Sequence, residues 1–355
     1  MFDTWGYIGL PRSISAMSYH IVSIDSPQCS LSCKDGQLTC RVEGEEKLRT
    51  IPLEDVASII ITSFSASLHS KLLIEAARHG IALILCEAFQ PVSIMLPANR
   101  STDTLLTRAQ LDITGREKQT LWRRTVNAKV KNQLSLAEYL APDDPKVGEL
   151  REIAAGKHDH KEAMAARTHW GIFGRALDLP DFVRERELGG VNALLNYGYA
   201  VLLSTVLQKL FGVGLDPTFG IFHAVREQAT PLAYDLMEPF RPCVDWRVAQ
   251  WVRKHQEEGK ALISDLETIE GNAAAADQGG VDRGVYPPVE CIGVDKAFRA
   301  WVTAFPLEKV DYLDMTIEIR GVIEGVIRSF RRAVLEHKPT LYRPWTPTSI
   351  KWAGC

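Results

Sequence analysis

The residues of this sequence best suited to chemistry are a histidine, His223, and a carboxylate pair, Asp235 and Glu238. Asp235 and Glu238 are three apart, so on a short helix starting near Leu232 they project from one face. Pro217, Pro231 and Pro239 punctuate the region and keep His223 off that helix, in a loop. A loop imidazole and two acids at one end of a buried helix make a candidate divalent-metal site. Each also has a plainer reading: the histidine as structural, the acids as exposed capping groups. Glu162 opens a helix of small residues, Ala163, Ala165 and Ala166, ahead of Trp170. It either points into a tightly packed interface or is a solvated glutamate favoured by the helix dipole. His158, Asp159 and His160 do not form a site, because helical neighbours splay roughly 100° apart.

These residues need a scaffold, and VNALLNYGYAVLLSTVLQKLFGVG, beginning at Val191, supplies it. The segment is apolar on almost every face and must sit inside something. Asn192, Asn196, Gln208 and Lys209 interrupt it too often for a membrane span of about 20 apolar residues. It reads as the central helix of a large helical domain. The 355 residues, 46% hydrophobic, are enough to bury roughly three-quarters of the unfolded surface. The fold class expected is α+β, a small strand-rich N-terminal domain over residues 1–98, a linker at 99–104 and a larger all-helical catalytic domain over 105–355.

The first part reads as a strand from Ser18, a hairpin turning at Asp35-Gly36, and two short strands around PLED. A helix with Ser65 or Ser67 as N-cap and Gly80 near its end follows, then strands through Leu85 and through PVSIMLP. Beyond the linker, helical periodicity takes over, with Leu121, Trp122, Val126, Val130 and Leu134 as core positions of one or two helices. A helix from Asp245 to Gly271, a Gly/Ala-rich loop, and a basic helix from Ile317 to Glu336 follow. The proline-rich tail from His337 is expected to form no element.

The net charge of −3 conceals local asymmetry. Residues 108–133 hold seven Lys/Arg against Asp112 and Glu117, and residues 320–343 hold six against Glu324 and Glu336. Such stripes are either solvated helix faces or a surface for polyanions. Seven cysteines without a CxxC give no zinc or disulfide framework. Cys29, Cys33 and Cys40 are expected to point in differing directions. With no signal-peptide pattern, reduced thiols and a cytoplasmic location follow.

The blocks EAMAARTHW (from Glu162), NALLNYGYAVL, GIFH and YDLMEPFRP resemble the CRISPR-associated spacer-acquisition integrases, the Cas-one family, in the form found beside type II systems. The likeness spans nearly the whole chain. It implies metal ligation by Glu162, His223 and Glu238, with Asp235 as the supporting acid. Ala163 and His169 depart from the family, which has glycine and an aromatic there. Two carboxylates and an imidazole suit Mn²⁺ or Mg²⁺ better than Zn²⁺. The implied activity is a metal-dependent DNA endonuclease or integrase that inserts spacer DNA into a CRISPR array. In it a DNA 3′-hydroxyl attacks a phosphodiester, with neither ATP nor a covalent intermediate. Implied partners are double-stranded DNA (prespacer and repeat), a second copy of the chain, and a Cas-two dimer. Arg108, Arg123, Arg124, Lys129, Lys131, Arg241, Arg328, Arg331 and Arg332 are the candidate DNA contacts. The rival readings are a stand-alone structure-specific nuclease and a non-catalytic DNA-binding scaffold.

Overall fold

The computed structural model describes residues 20–26, 28–87, 89–95, 104–156, 160–179, 181–186, 188–223, 229–262, 291–312 and 315–346. His158 and Asp159, most of the expected linker and most of the Gly/Ala-rich loop lie outside these residues.

The first part holds two four-stranded sheets. One has the order β1 (His20–Ile24), β5 (Val56–Ile61), β7 (Ala82–Glu87), β8 (Gln90–Met95), parallel except for β8. The other has the order β4 (Arg49–Pro52), β3 (Gln37–Val42), β2 (Cys29–Lys34), β6 (Ser67–Leu68). The β2–β3 hairpin turns where expected, Asp35 at φ 51° and Gly36 at φ 74° matching the two left-handed positions of a type I′ turn. The helix α1 (Ser70–Arg78) differs from expectation at its start. Ser67 pairs with Ser30 of β2 and is spent on the sheet, so His69 takes the N-cap position without a side-chain cap bond. Gly80, at φ 69°, follows the helix as expected. The three cysteines differ too. Cys29 and Cys33 are four apart on β2 and Cys40 faces Leu31 between them, so all three point to one buried face. Burial pushes the Cys40 thiol up to about 12, and it packs as an apolar group.

Every residue of β5 is buried, as expected of a strand covered on both faces. One face, carrying Val22, Ile59, Ile61 and Leu83, packs on Leu31, Leu38 and Ile51 of the second sheet and on Leu72 and Ala76 of α1. The opposite face, carrying Ile21, Ile60, Ala82 and Ile84, belongs to the main core. At its centre lies α6 (Val191–Gly212), with every residue from Val191 to Leu207 buried. Tyr197 of α6 donates to Ser23 of β1 at 2.8 Å, tying the helical part to the sheet.

The remaining helices are α2 (Thr104–Leu111), α3 (Gly115–Leu140), α4 (Lys146–Ala155), α5 (Lys161–Ala176), α7 (Pro231–Met237), α8 (Arg241–Glu257), α9 (Lys296–Thr303) and α10 (Ile319–Leu335). The segment read as one or two helices forms two, because Thr114 and Glu117 make a reciprocal capping box that starts α3 afresh. Val126 and Val130 of α3, Leu150 of α4 and Ile172 of α5 close a smaller core. The α8 helix stops short of Gly271: Gly259 adopts φ 76° and Lys260 N–H donates back to the His255 carbonyl at 3.0 Å. Short ladders decorate the helical part, β9 (Ala261–Leu262) with β10 (Cys291–Ile292) and β11 (Lys309–Tyr312) with β12 (Met315–Glu318). The last ladder takes Ile317 and Glu318 out of the final helix. The tail also departs from expectation. Pro339–Leu341 form a 3₁₀ turn, Tyr342 and Trp345 are buried, and Trp345 stacks on Phe240 at 5.6 Å between centroids. Prolines fix φ but leave neighbouring aromatic side chains free to anchor the segment.

Gly198 lies where α6 meets α8: a Cβ there would stand 2.5 Å from Val244 Cγ1. We expect Gly198→Ala to cost about 1–3 kcal/mol in denaturant unfolding. Adding Val244→Ala should cost less than the two single losses summed; strict additivity would show that this contact is not the cause.

Candidate active site

Three elements bring the acids together. Lys129 comes from the middle of α3, Glu162 from the first turn of α5, and Glu238 from the 3₁₀ turn Glu238–Phe240 that joins α7 to α8. Pro239 ends α7 at that junction. Asn132, one turn along α3 from Lys129, fixes the junction by donating to the Pro239 carbonyl at 2.6 Å and to the Trp345 carbonyl at 3.0 Å. The tail thus clamps the backbone beside Glu238.

Lys129 Nζ stands 2.6 Å from Glu162 Oε1 and 2.6 Å from Glu238 Oε2. Arg241 Nε is 2.8 Å from Glu238 Oε1, and its guanidinium lies 4.6 Å above the Tyr199 ring. The contact to Glu162 is a true hydrogen bond. Those to Glu238 have ion-pair distances without hydrogen-bond direction, and Glu238 Oε2 and Arg241 Nε remain buried without a hydrogen bond. Burial alone would raise the Glu238 pKa, but Arg241 and Lys129 outweigh it and hold the carboxyl down at about 2. Burial alone would lower the Lys129 pKa, but Glu238 and Glu162 overcome that and keep it raised. The pocket therefore holds an ionised carboxylate, one oxygen of which lacks a hydrogen bond, against the chain's own cations.

His223 is held from below by Asp235, which is fully buried on α7. Asp235 Oδ2 accepts from the backbone N–H of Ile221 at 2.7 Å and of Phe222 at 3.2 Å. Its Oδ1 accepts from His223 N–H at 3.2 Å and pairs with His223 Nδ1 at 2.8 Å. The carboxylate thereby shapes the loop and fixes the ring, leaving Nε2 as the remaining nitrogen. Gly220 permits this approach, since a Cβ there would meet the His223 carbonyl at 2.6 Å and Pro231 Cβ at 2.8 Å. Asp235 and Glu238, read as a pair on one face, thus serve different partners. The hydrogen bond to Asp235 outweighs burial and raises the His223 pKa.

Among the described residues no three metal-ligating side chains converge as they stand. Lys129 fills the space between Glu162 and Glu238. The donor types nonetheless fit a hard divalent cation: two carboxylates, one ionised and buried, with an imidazole oriented by a carboxylate behind it.

The other candidate DNA contacts are scattered. Arg108, Arg123 and Lys131 are exposed. Arg124 donates to the Tyr342 carbonyl at 2.7 Å. Arg328 pairs with Glu324 and Arg332 with Glu336, each at 2.7 Å on the same helix, while Arg331 is half-buried. Lys129 and Arg241 lie in the acid cluster itself. Sequence reasoning missed Arg184, Tyr199 and Asp245, which line the space next to it. His169, noted above only as a departure, is buried with Nε2 3.1 Å from Asp245 Oδ2, and Tyr199 O–H donates to Asp245 Oδ1. Tyr199, Asn192 and Asn196 in the mostly apolar first half of α6 were the available signal.

The fold is that of an α+β protein in which a strand-rich start is fused to a helical part with an acid and imidazole cluster. Residues 22–270 match the family described as CRISPR associated protein Cas1, and the chain belongs to that family. It is 35% identical over 224 residues to the CRISPR-associated endonuclease Cas1 of Neisseria meningitidis, covering 61% of this chain and 71% of the relative. It is 29% identical over 216 residues to a Cas1 endonuclease of Saccharolobus solfataricus, covering 59% and 68%. Among solved structures, a casposase bound to an integration product aligns with TM-score 0.66 at 18% identity over 93% of this chain and 96% of that one. A Cas1 protein of Thermotoga maritima aligns with TM-score 0.65 at 16% identity over 89% and 97%. No helix among the described residues is long and apolar enough to cross a membrane.

Asp235→Asn should lower the His223 titration midpoint, followed by NMR. In the parent the folded-state value lies above the ordinary 6.5. The imidazolium therefore stabilises the fold fully below about pH 6.5, and that contribution is lost as pH rises through the folded value. The variant should lose most stability on the acid side, about 1–3 kcal/mol including the weakened backbone acceptors. An unchanged midpoint would mean that Asp235 does not set the ring's charge.

Proposed function

We propose that this chain is a metal-dependent DNA integrase that inserts spacer DNA into a CRISPR array by transesterification. The observation that carries the reading is the meeting of Glu162 and Glu238 on a single ammonium, Lys129, at 2.6 Å each. Acids distant in sequence share one cation position, beside a histidine braced by Asp235. Glu162, Glu238 and the Nε2 of His223 would hold Mn²⁺ or Mg²⁺. When bound, such an ion stabilises charge on a phosphodiester and orients an in-line attack. The chain's own residues do the rest. Asp235 keeps the imidazole and its loop in place, Asn132 fixes the turn carrying Glu238, and the core behind α6 keeps water from the buried carboxylate. Lys129 and Arg241 balance the acids and supply positive charge facing a DNA backbone.

Family membership supports the nuclease or integrase class, and the fold likeness to a casposase bound to its integration product supports strand transfer over hydrolysis alone. The proposed partners are double-stranded DNA, both prespacer and repeat, and a second copy joined through the strand-rich part, residues 1–98. A Cas-two dimer completes the assembly; a Cas6-RT-Cas1–Cas2 complex aligns with TM-score 0.67 at 14% identity over 95% of this chain and 37% of that one. The catalytic part begins at residue 105, and the proposed location is the cytoplasm.

His223→Ala, Glu162→Gln and Glu238→Gln are each expected to lower strand transfer at least 100-fold, with duplex binding changed less than threefold. The assay supplies a pre-cut duplex and a supercoiled repeat-bearing plasmid with Mn²⁺. Branched joint molecules support integration, whereas nicks and fragments alone would make the chain a nuclease. Any of the three variants integrating at the parental rate would remove that residue from the site. Lys129→Gln should tighten Mn²⁺ binding severalfold by calorimetry, because the competing ammonium is gone.

A further inference from the structure

Next to the acid cluster lies a cavity of about 170 Å³ lined by Lys129, Arg184, Arg186 and Arg241, with Trp170 and Tyr199 as aromatic walls. Asp245 is the acid among its described lining residues, and it is already engaged by Tyr199 and His169. Four cations therefore line the space with one carboxylate, and two of them, Lys129 and Arg241, also pair with Glu162 or Glu238 at its edge. Arg184 is the informative one. Its guanidinium is mostly buried, and burial pulls its pKa down. Its Nη1 donates to Asn192 Oδ1 at 2.9 Å and to the Glu185 carbonyl at 3.2 Å, and its Nη2 donates to Asn196 Oδ1 at 2.8 Å. These acceptors are all neutral, and among the described residues it makes no ion pair with a carboxylate. The guanidinium also lies 5.5 Å from the Tyr199 ring centroid and 5.9 Å from that of Trp170.

Keeping a desolvated charge without a directly paired carboxylate is costly even with Asp245 nearby, and the fold spends two asparagines of its central helix on doing so. Asn192 and Asn196 also donate to the Val183 and Arg186 carbonyls at 3.0 and 2.8 Å, so the strap carrying both arginines is pinned to α6. A guanidinium held by neutral acceptors and aromatic faces, opening onto a cavity rich in further cations, is built for an oxyanion ligand. Arg241 and Lys129 set the distance to the reaction: each lines the cavity and each also touches Glu238.

We propose that this cavity is a phosphate subsite, in which Arg184, with Arg186 and Arg241, grips the DNA phosphate next to the one that reacts. The subsite rests on the proposed function for its substrate. Its role is positioning: it fixes strand register by one charged anchor beside the acids.

The test is a binding cycle in chelator-containing buffer, with no turnover. A short DNA duplex carries a single neutral methylphosphonate, moved along the strand from the reacting phosphate, and affinity is read by fluorescence anisotropy. For the parent we expect one position, adjacent to the reacting phosphate, where the substitution weakens binding about tenfold. Arg184→Gln should weaken unmodified DNA by about the same factor, and the methylphosphonate at that position should then cost nothing more. Arg184→Lys should recover part of the affinity, since it restores charge without the fork. Losses that multiply at every position, or an Arg184→Gln variant that binds like the parent, would overturn the subsite. Should Arg184→Gln fail to fold, Arg186→Gln enters the same cycle with the same expected non-additivity. Failure of the two readings is separable. A parent showing the coupling but forming no joint molecules removes the integrase reading and keeps the subsite, and joint molecules without coupling do the reverse.

Discussion

The structure depends on covering one helix on all sides. Because α6 is buried from Val191 to Leu207, no face can be left to water, and each neighbour is recruited by that requirement. The strand-rich part covers one side through Ile21, Ile60 and Ile84, α8 another through Val244, α10 a third through Val322 and Val326. The few polar groups of α6 are correspondingly committed: Tyr197 to Ser23, Tyr199 to Asp245, Asn192 and Asn196 to the arginine strap. A buried polar group without a partner would cost about 1–3 kcal/mol, so these bonds fix which surfaces meet.

The charge cluster is a consequence of that packing. Glu238 emerges where α7 gives way to α8, and its partners are Lys129 of α3 and Arg241, the first residue of α8. Such an arrangement places an ionised carboxylate in a low-dielectric setting only because positive charge surrounds it. The same positive groups open onto the neighbouring cavity, so acid cluster and cation-lined space are two sides of one electrostatic arrangement. His223 belongs to it through Asp235, which shapes the loop with three backbone bonds before it orients the ring.

Much of the architecture was legible because it follows local rules. The Asp35-Gly36 turn, Gly80 after α1 and the strand through Leu85 each have a short-range cause. What failed locally was overridden by a partner outside the segment being read. Ser67 was taken by β2, the tail was anchored by Tyr342 and Trp345, and Ile317 was drawn into a hairpin with Val310. The direction of Cys40 follows from the hairpin itself, because the two-residue turn at Asp35-Gly36 sets Cys40 opposite Leu31, between Cys29 and Cys33.

For the site, the sequence by itself determined the donor types, the buried helix α6 behind them and, through the family blocks, which acids and which histidine to watch. Only the tertiary structure decided that Asp235 is spent on the His223 loop while Glu238 faces Lys129 and Arg241. It alone moved Lys129 from a polar helix face into the acid cluster and gathered Arg184 beside it. The reason is physical: spacing along a helix tells which side chains share a face, but the charge and burial of a group depend on what the other elements bring to that face.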